Sequence, residues 1–139
     1  LGSTYAAHPL ACAAALACLE EYTPQLIDHS RKMGELLFAR LRDLAGKHPM
    51  VGDVRGKGLL ACLELVQDRG KKTPLVPANT DSLLPLQIRR RCWDEGIHVL
   101  ARGSLIILSP PLILQPEHVE EGVAKLDRVL GWLEKTIRQ

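Results

Sequence analysis

Residues 51–66 read VGDVRGKGLLACLELV, and this stretch decides the fold. Everything before it is helical in pattern. Here Gly52, Gly56 and Gly58 punctuate a short strand and a turn. The run Leu59–Val66 then reads as a strand with one face largely buried. A P-loop would need four residues between its glycines and a Ser or Thr after the Lys. Gly52 and Gly56 enclose three, and Gly58 follows Lys57, so the segment reads as a tight strand-to-strand connection needing positive φ.

Outward from this hairpin the elements alternate. Thr23-Pro24 is a cap followed by Pro at the first helical position. Leu26, Ser30, Met33, Leu37, Leu41 and Leu44 then form an amphipathic stripe that ends near Gly46. Before it, Pro9 to about Glu21 is an Ala-rich helix, apolar on every side, and so expected to be buried. Residues 67–80 are polar, contain Pro74 and Pro77, and read as a loop. Asp81 is the expected cap of a helix carrying Leu84, Ile88 and Cys92 inward. Ile97–Leu100 and Leu105–Leu108 read as strands about Arg102-Gly103-Ser104, a hairpin. Pro116 starts a last helix with the stripe Val119, Val123, Leu126, Leu130, Leu133 and Ile137. The fold class expected is α+β: a small, antiparallel-rich sheet covered by helices on one face.

Composition narrows the function classes. With 139 residues, 46% hydrophobic and 24% charged, the chain is globular and of ordinary domain size. A net charge of +2 does not point to nucleic acid. The basic run Arg89–Arg91 reads as a solvated helix face without flanking aromatics to stack bases. Cys12, Cys18, Cys62 and Cys92 form no C-x-x-C pair and no zinc spacing, which fits a reducing, cytoplasmic setting. No apolar run approaches the roughly 20 residues that span a bilayer, so no membrane partner is expected. Ser3, Ser30, Ser82, Ser104 and Ser109 lack a nucleophile-elbow context, and His29, His48, His98 and His118 read as structural, at surface or strand positions.

The opening is different. Gly2-Ser3-Thr4-Tyr5, then His8-Pro9 and the Ala-rich run to Leu16, closely resembles a segment of the class III (omega-amino-acid type) aminotransferases, which are fold-type I pyridoxal-phosphate enzymes. The resemblance continues in Asp53–Leu59, in Glu64-Leu65, in Ser109-Pro110-Pro111-Leu112 and in the final helix. It implies a homodimer with its active site at the subunit interface, pyridoxal 5'-phosphate as cofactor, and an amino donor and a keto acid as substrates. It also implies that Thr4, with Ser3 beside it, binds the cofactor phosphate of the neighbouring subunit through hydroxyl and backbone N–H. The bland alternative for Thr4 is a turn or a helix cap.

The same resemblance places the catalytic Lys, the Asp at the pyridine nitrogen and the stacking aromatic N-terminal to residue 1. Lys32, Lys47, Lys57, Lys71, Lys72, Lys125 and Lys135 do not match the motif's Lys. Residues 1–24 would then be a linker and interface helix leading from a large domain, and residues 25–139 the small C-terminal domain. The Arg used by acetylornithine-type members corresponds to Ile107 here. Arg102 is the candidate for gripping a substrate carboxylate, its alternative being an exposed hairpin-tip Arg. Arg55 reads as structural. Rival readings are an aminomutase, decarboxylase or racemase of the same fold family, or a non-catalytic α+β interaction module.

Overall fold

The computed structural model describes residues 6–78 and 80–137. The elements are α1 (Pro9–Glu20), α2 (Pro24–Lys47), β1 (Val51–Lys57), β2 (Leu60–Asp68), β3 (Thr73–Pro74), α3 (Leu84–Asp94), β4 (Leu100–Arg102), β5 (Leu105–Leu108) and α4 (Pro116–Ile137). The sheet runs β1-β2-β5-β4, antiparallel throughout, with β3 added to β2. This is the α+β class expected from the sequence.

Local chemistry sets the boundaries. The Thr23 hydroxyl accepts from the Leu26 N–H at 3.2 Å, and Pro24 needs no partner at the first helical position. At the β1–β2 turn, Gly56 has φ +140° and Gly58 φ +58°. A Cβ on Gly56 would run into the Leu60 carbonyl, so only glycine fits. The positive-φ reading of this segment is thereby met.

Period-2 alternation sends one face of each strand inward. Val51, Ala61, Leu63, Leu65, Ala101 and Ile106 meet Leu37, Leu41 and Leu44 of α2, Ile88 and Cys92 of α3, and Val119, Leu126, Val129, Leu130 and Leu133 of α4 in one core. Gly34 lets α2 approach the hairpin: a Cβ there would lie 2.6 Å from the Gly58 carbonyl oxygen.

Several expectations need correction. The α3 cap is not Asp81. The helix starts at Leu84, with Leu83 at the cap position, and it is the Ser82 Oγ that accepts from the Leu84 N–H at 3.2 Å. Ile97–Val99 is not strand, because the Ile97 N–H closes the end of α3 on the Cys92 carbonyl at 2.9 Å. Pairing begins at Leu100, so Arg102 lies in β4 and the turn is Gly103-Ser104.

The segment 67–80 is not all loop. β3 pairs with β2, and buried Ser104 holds Val76 from both sides, accepting from its N–H at 2.8 Å and donating to its carbonyl at 3.1 Å. In α4, Ile137 is exposed and Val129 takes the buried place. His48 is neither surface nor strand: it is buried at the end of α2. Among the described residues α1 buries nothing within this domain, and the burial expected of it is against a preceding large domain.

Candidate functional site

The sheet gives the candidate site its floor. Its inward face belongs to the core, while among the described residues no helix packs on the opposite face. The register aligns two rows there. One runs Asp53, Glu64, Leu105, Arg102; the other runs Arg55, Cys62, Ile107, Leu100. Asp53, Arg55, Leu100 and Arg102 are exposed, whereas Cys62, Glu64, Leu105 and Ile107 are half-buried.

The β1–β2 half of this face is electrostatically closed. The Arg55 guanidinium bridges Glu64 and Asp53, the latter at 3.1 Å. Glu64, then Asp53, push the already high Arg55 value further up, so the cation is fixed in place. The expectation of a structural Arg55 is supported by these contacts. Asp53 and Arg55 sit two apart on one strand and so share a face, which sequence can show. The third member, Glu64, depends on a register that sequence does not contain. Burial raises the Cys62 thiol, with Arg55 opposing, so Cys62 stays a neutral thiol on this surface.

The β4–β5 half is aliphatic, with Arg102 as its one cation. Arg102 makes no ion pair among the described residues, and Leu100, Leu105 and Ile107 are its neighbours on the face. A guanidinium with its donors free can take a carboxylate bidentately.

Ser3 and Thr4, the expected phosphate ligands, lie outside the described residues. Their donor chemistry fits a phosphate: two adjacent hydroxyls beside Gly2. No described lysine occupies a desolvated pocket. Lys125, the most shielded, is tied to Glu121 at 2.6 Å and to the Gly96 carbonyl at 3.3 Å.

The basic run on α3 is the solvated helix face expected, with Arg89 and Arg90 exposed. Arg91 turns to Glu95 at 2.7 Å and Arg90 to Asp94 at 3.3 Å, yet an aromatic does flank the run, since Trp93 is exposed. No helix among the described residues is long and apolar enough to cross a membrane. No group of three or more His, Cys, Asp and Glu among them could hold a metal ion.

The described residues thus form an antiparallel sheet backed by helices, with one cation, Arg102, free of ion pairs on its bare face. Comparison with known proteins makes this specific. The profile of the family described as Aminotransferase class-III matches residues 1–130, and the chain belongs to that family. It is 38% identical over 140 residues to an omega-aminotransferase of Caulobacter vibrioides, covering 94% of this chain and 28% of that protein. It is 36% identical to ethanolamine-phosphate phospho-lyase homolog 1 of Caenorhabditis elegans, covering 92% of this chain and 27% of that protein. Among solved structures it resembles taurine:2-oxoglutarate aminotransferase from Bifidobacterium kashiwanohense, in complex with PLP and glutamate. The TM-score there is 0.89 at 33% identity, over 97% of this chain and 30% of that one. The chain thus spans under a third of the length of these relatives.

Proposed function

We propose that this chain is the C-terminal part of a pyridoxal-phosphate-dependent aminotransferase that moves an amino group between an amine or amino acid and a keto acid. The observation that carries this reading is the family match over residues 1–130, joined to a backbone likeness of TM-score 0.89 to a PLP-bound transaminase. Pyridoxal 5'-phosphate, when bound, supplies the electron sink for the transfer. Residues 1–24 serve as a linker and interface helix, and residues 25–139 as the small domain that closes the site.

In this reading the chain's own residues bind and orient. Ser3 and Thr4 hold the cofactor phosphate of the neighbouring subunit in a homodimer. Arg102 grips a substrate carboxylate, and the aliphatic β4–β5 surface keeps water from the reacting groups. The Arg55 triad stiffens the floor on which they stand. The catalytic Lys belongs to the preceding domain. The enzyme works in the cytoplasm and uses neither nucleic acid nor membrane.

The test is amino transfer by the full-length gene product, measured with an amine donor and a keto-acid acceptor. Formation of the amino acid from the acceptor is expected. A protein that holds the cofactor but transfers nothing would replace this reading with another chemistry of the family. The likeness to a phospho-lyase homolog favours elimination from an amino-alcohol phosphate as the second reading. Racemisation, decarboxylation and amino-group migration use the same cofactor, and failure to bind it at all would indicate a non-catalytic module.

A further inference from the structure

Two buried polar atoms face each other where the two long helices join. They are His48 Nδ1, at the end of α2, and Glu134 Oε1, on α4, 3.3 Å apart. Neither has a hydrogen-bond partner elsewhere among the described residues. The His48 side chain is 8% exposed and that of Glu134 23%, so this chain by itself shields both atoms from solvent.

The other charges around the ring are already engaged. His48 Nε2 meets Asp127 Oδ1 at 2.7 Å, and because a carboxylate only accepts, the Nε2 proton is committed there. Lys47 reaches the second Asp127 oxygen at 3.3 Å. Arg69, which follows β2, donates to the backbone carbonyl of His48 at 3.3 Å and to those of Ala45 and Val51. His48 is the one ion-pair partner of Glu134 among the described residues.

Proton counting then fixes what lies in the gap. With Nδ1 bare and Glu134 ionised, a lone pair would face a lone pair in a shielded place, which is costly. One proton removes the conflict: either Nδ1–H donates to the carboxylate, or a carboxyl O–H donates to Nδ1.

We propose that one proton shared by His48 Nδ1 and Glu134 Oε1 locks the end of α2 to α4, which makes this helix join a pH-sensitive latch. The folded protein holds that proton more tightly than the unfolded chain does, so the latch stabilises at lower pH and opens as rising pH removes the proton. The aminotransferase reading uses none of these residues, and the latch stands apart from it.

The experiment follows amide hydrogen exchange in the full-length protein, wild type against Glu134→Gln, at matched pH values from about 6 to about 9. Matching the pH cancels the intrinsic exchange rate. The Gln amide donates to a bare Nδ1 without titrating, so the variant stays latched throughout. Between the two ends of that range the ratio of wild-type to variant exchange in residues 44–50 and 126–137 should rise about fivefold or more, while the ratio in β2 changes by less than about twofold. Glu134→Met, which removes the facing oxygens, should give the same rise and serves if the Gln variant folds poorly. A ratio that does not rise with pH in either variant, or one that rises equally in β2, would overturn the inference.

Discussion

His48 on the α2 end and Asp127 on α4 meet at 2.7 Å, Nε2 to Oδ1, and this contact ties the two long helices together. Lys47 reaches the other Asp127 oxygen at 3.3 Å, and the second ring nitrogen of His48 lies 3.3 Å from Glu134 Oε1. The hydrogen bond from His48, then the one from Lys47, holds the Asp127 carboxyl below its ordinary value. A carboxylate lowered in the folded state stabilises above its unfolded value, and that stabilisation fades as pH falls through the folded one. Asp127→Asn should therefore cost stability at neutral pH and cost progressively less below about pH 4. Because Asp127 is partly solvated, the neutral-pH loss should be near 1 kcal/mol. Urea denaturation of both proteins across pH measures it.

The contact of α2 with the glycine hairpin should be intolerant of one methyl group. Gly34→Ala places a Cβ 2.6 Å from the Gly58 carbonyl oxygen, backbone against backbone, and should destabilise by about 1–3 kcal/mol. Gly131→Ala is the control. It lies inside α4 with nothing within 4 Å of the added Cβ, and should gain up to about 1 kcal/mol from helix propensity. Opposite signs in thermal unfolding are expected.

Ser104 fixes the strap over residues 73–76 with two buried hydrogen bonds to Val76. Ser104→Ala leaves a buried N–H and carbonyl without their partner, at about 1–3 kcal/mol. Hydrogen exchange at the Val76 amide should accelerate well beyond that at the core strand β2.

The cysteines should separate by reactivity. Burial pushes the Cys92 thiol up to about 11, whereas Cys12 and Cys18 are exposed. Alkylation of the native protein at neutral pH should spare Cys92, which should react only in denaturant. Mass mapping of the labelled peptides checks this.

The fold was legible where local rules suffice. Thr23-Pro24, the α2 stripe and the glycine hairpin follow from capping, period and positive φ. The start of β4 is not legible, because Ile97 looks like a strand residue but spends its N–H on closing α3, a contact visible only in three dimensions. The burial of His48 is not legible in the sequence, because its partners lie 79 and more positions away on α4. The site was legible in part. Arg102 stands on the open face, whereas its aliphatic surround and the Arg55–Glu64 bond depend on strand register.

The most direct test of the central claim asks whether Thr4 serves the neighbour's cofactor. A Thr4→Ala homodimer of the full-length protein should hold pyridoxal 5'-phosphate about tenfold or more weakly, the expected loss for a hydrogen bond to a charged group. A mixed dimer then decides the geometry. One protomer carries Thr4→Ala and the other lacks the catalytic Lys but keeps Thr4. If Thr4 acts across the interface, the intact Lys and the intact Thr4 meet in one site, and that site regains wild-type cofactor affinity and activity. A mixed dimer as weak as the Thr4→Ala homodimer, or a Thr4→Ala homodimer with unchanged affinity, would contradict the account.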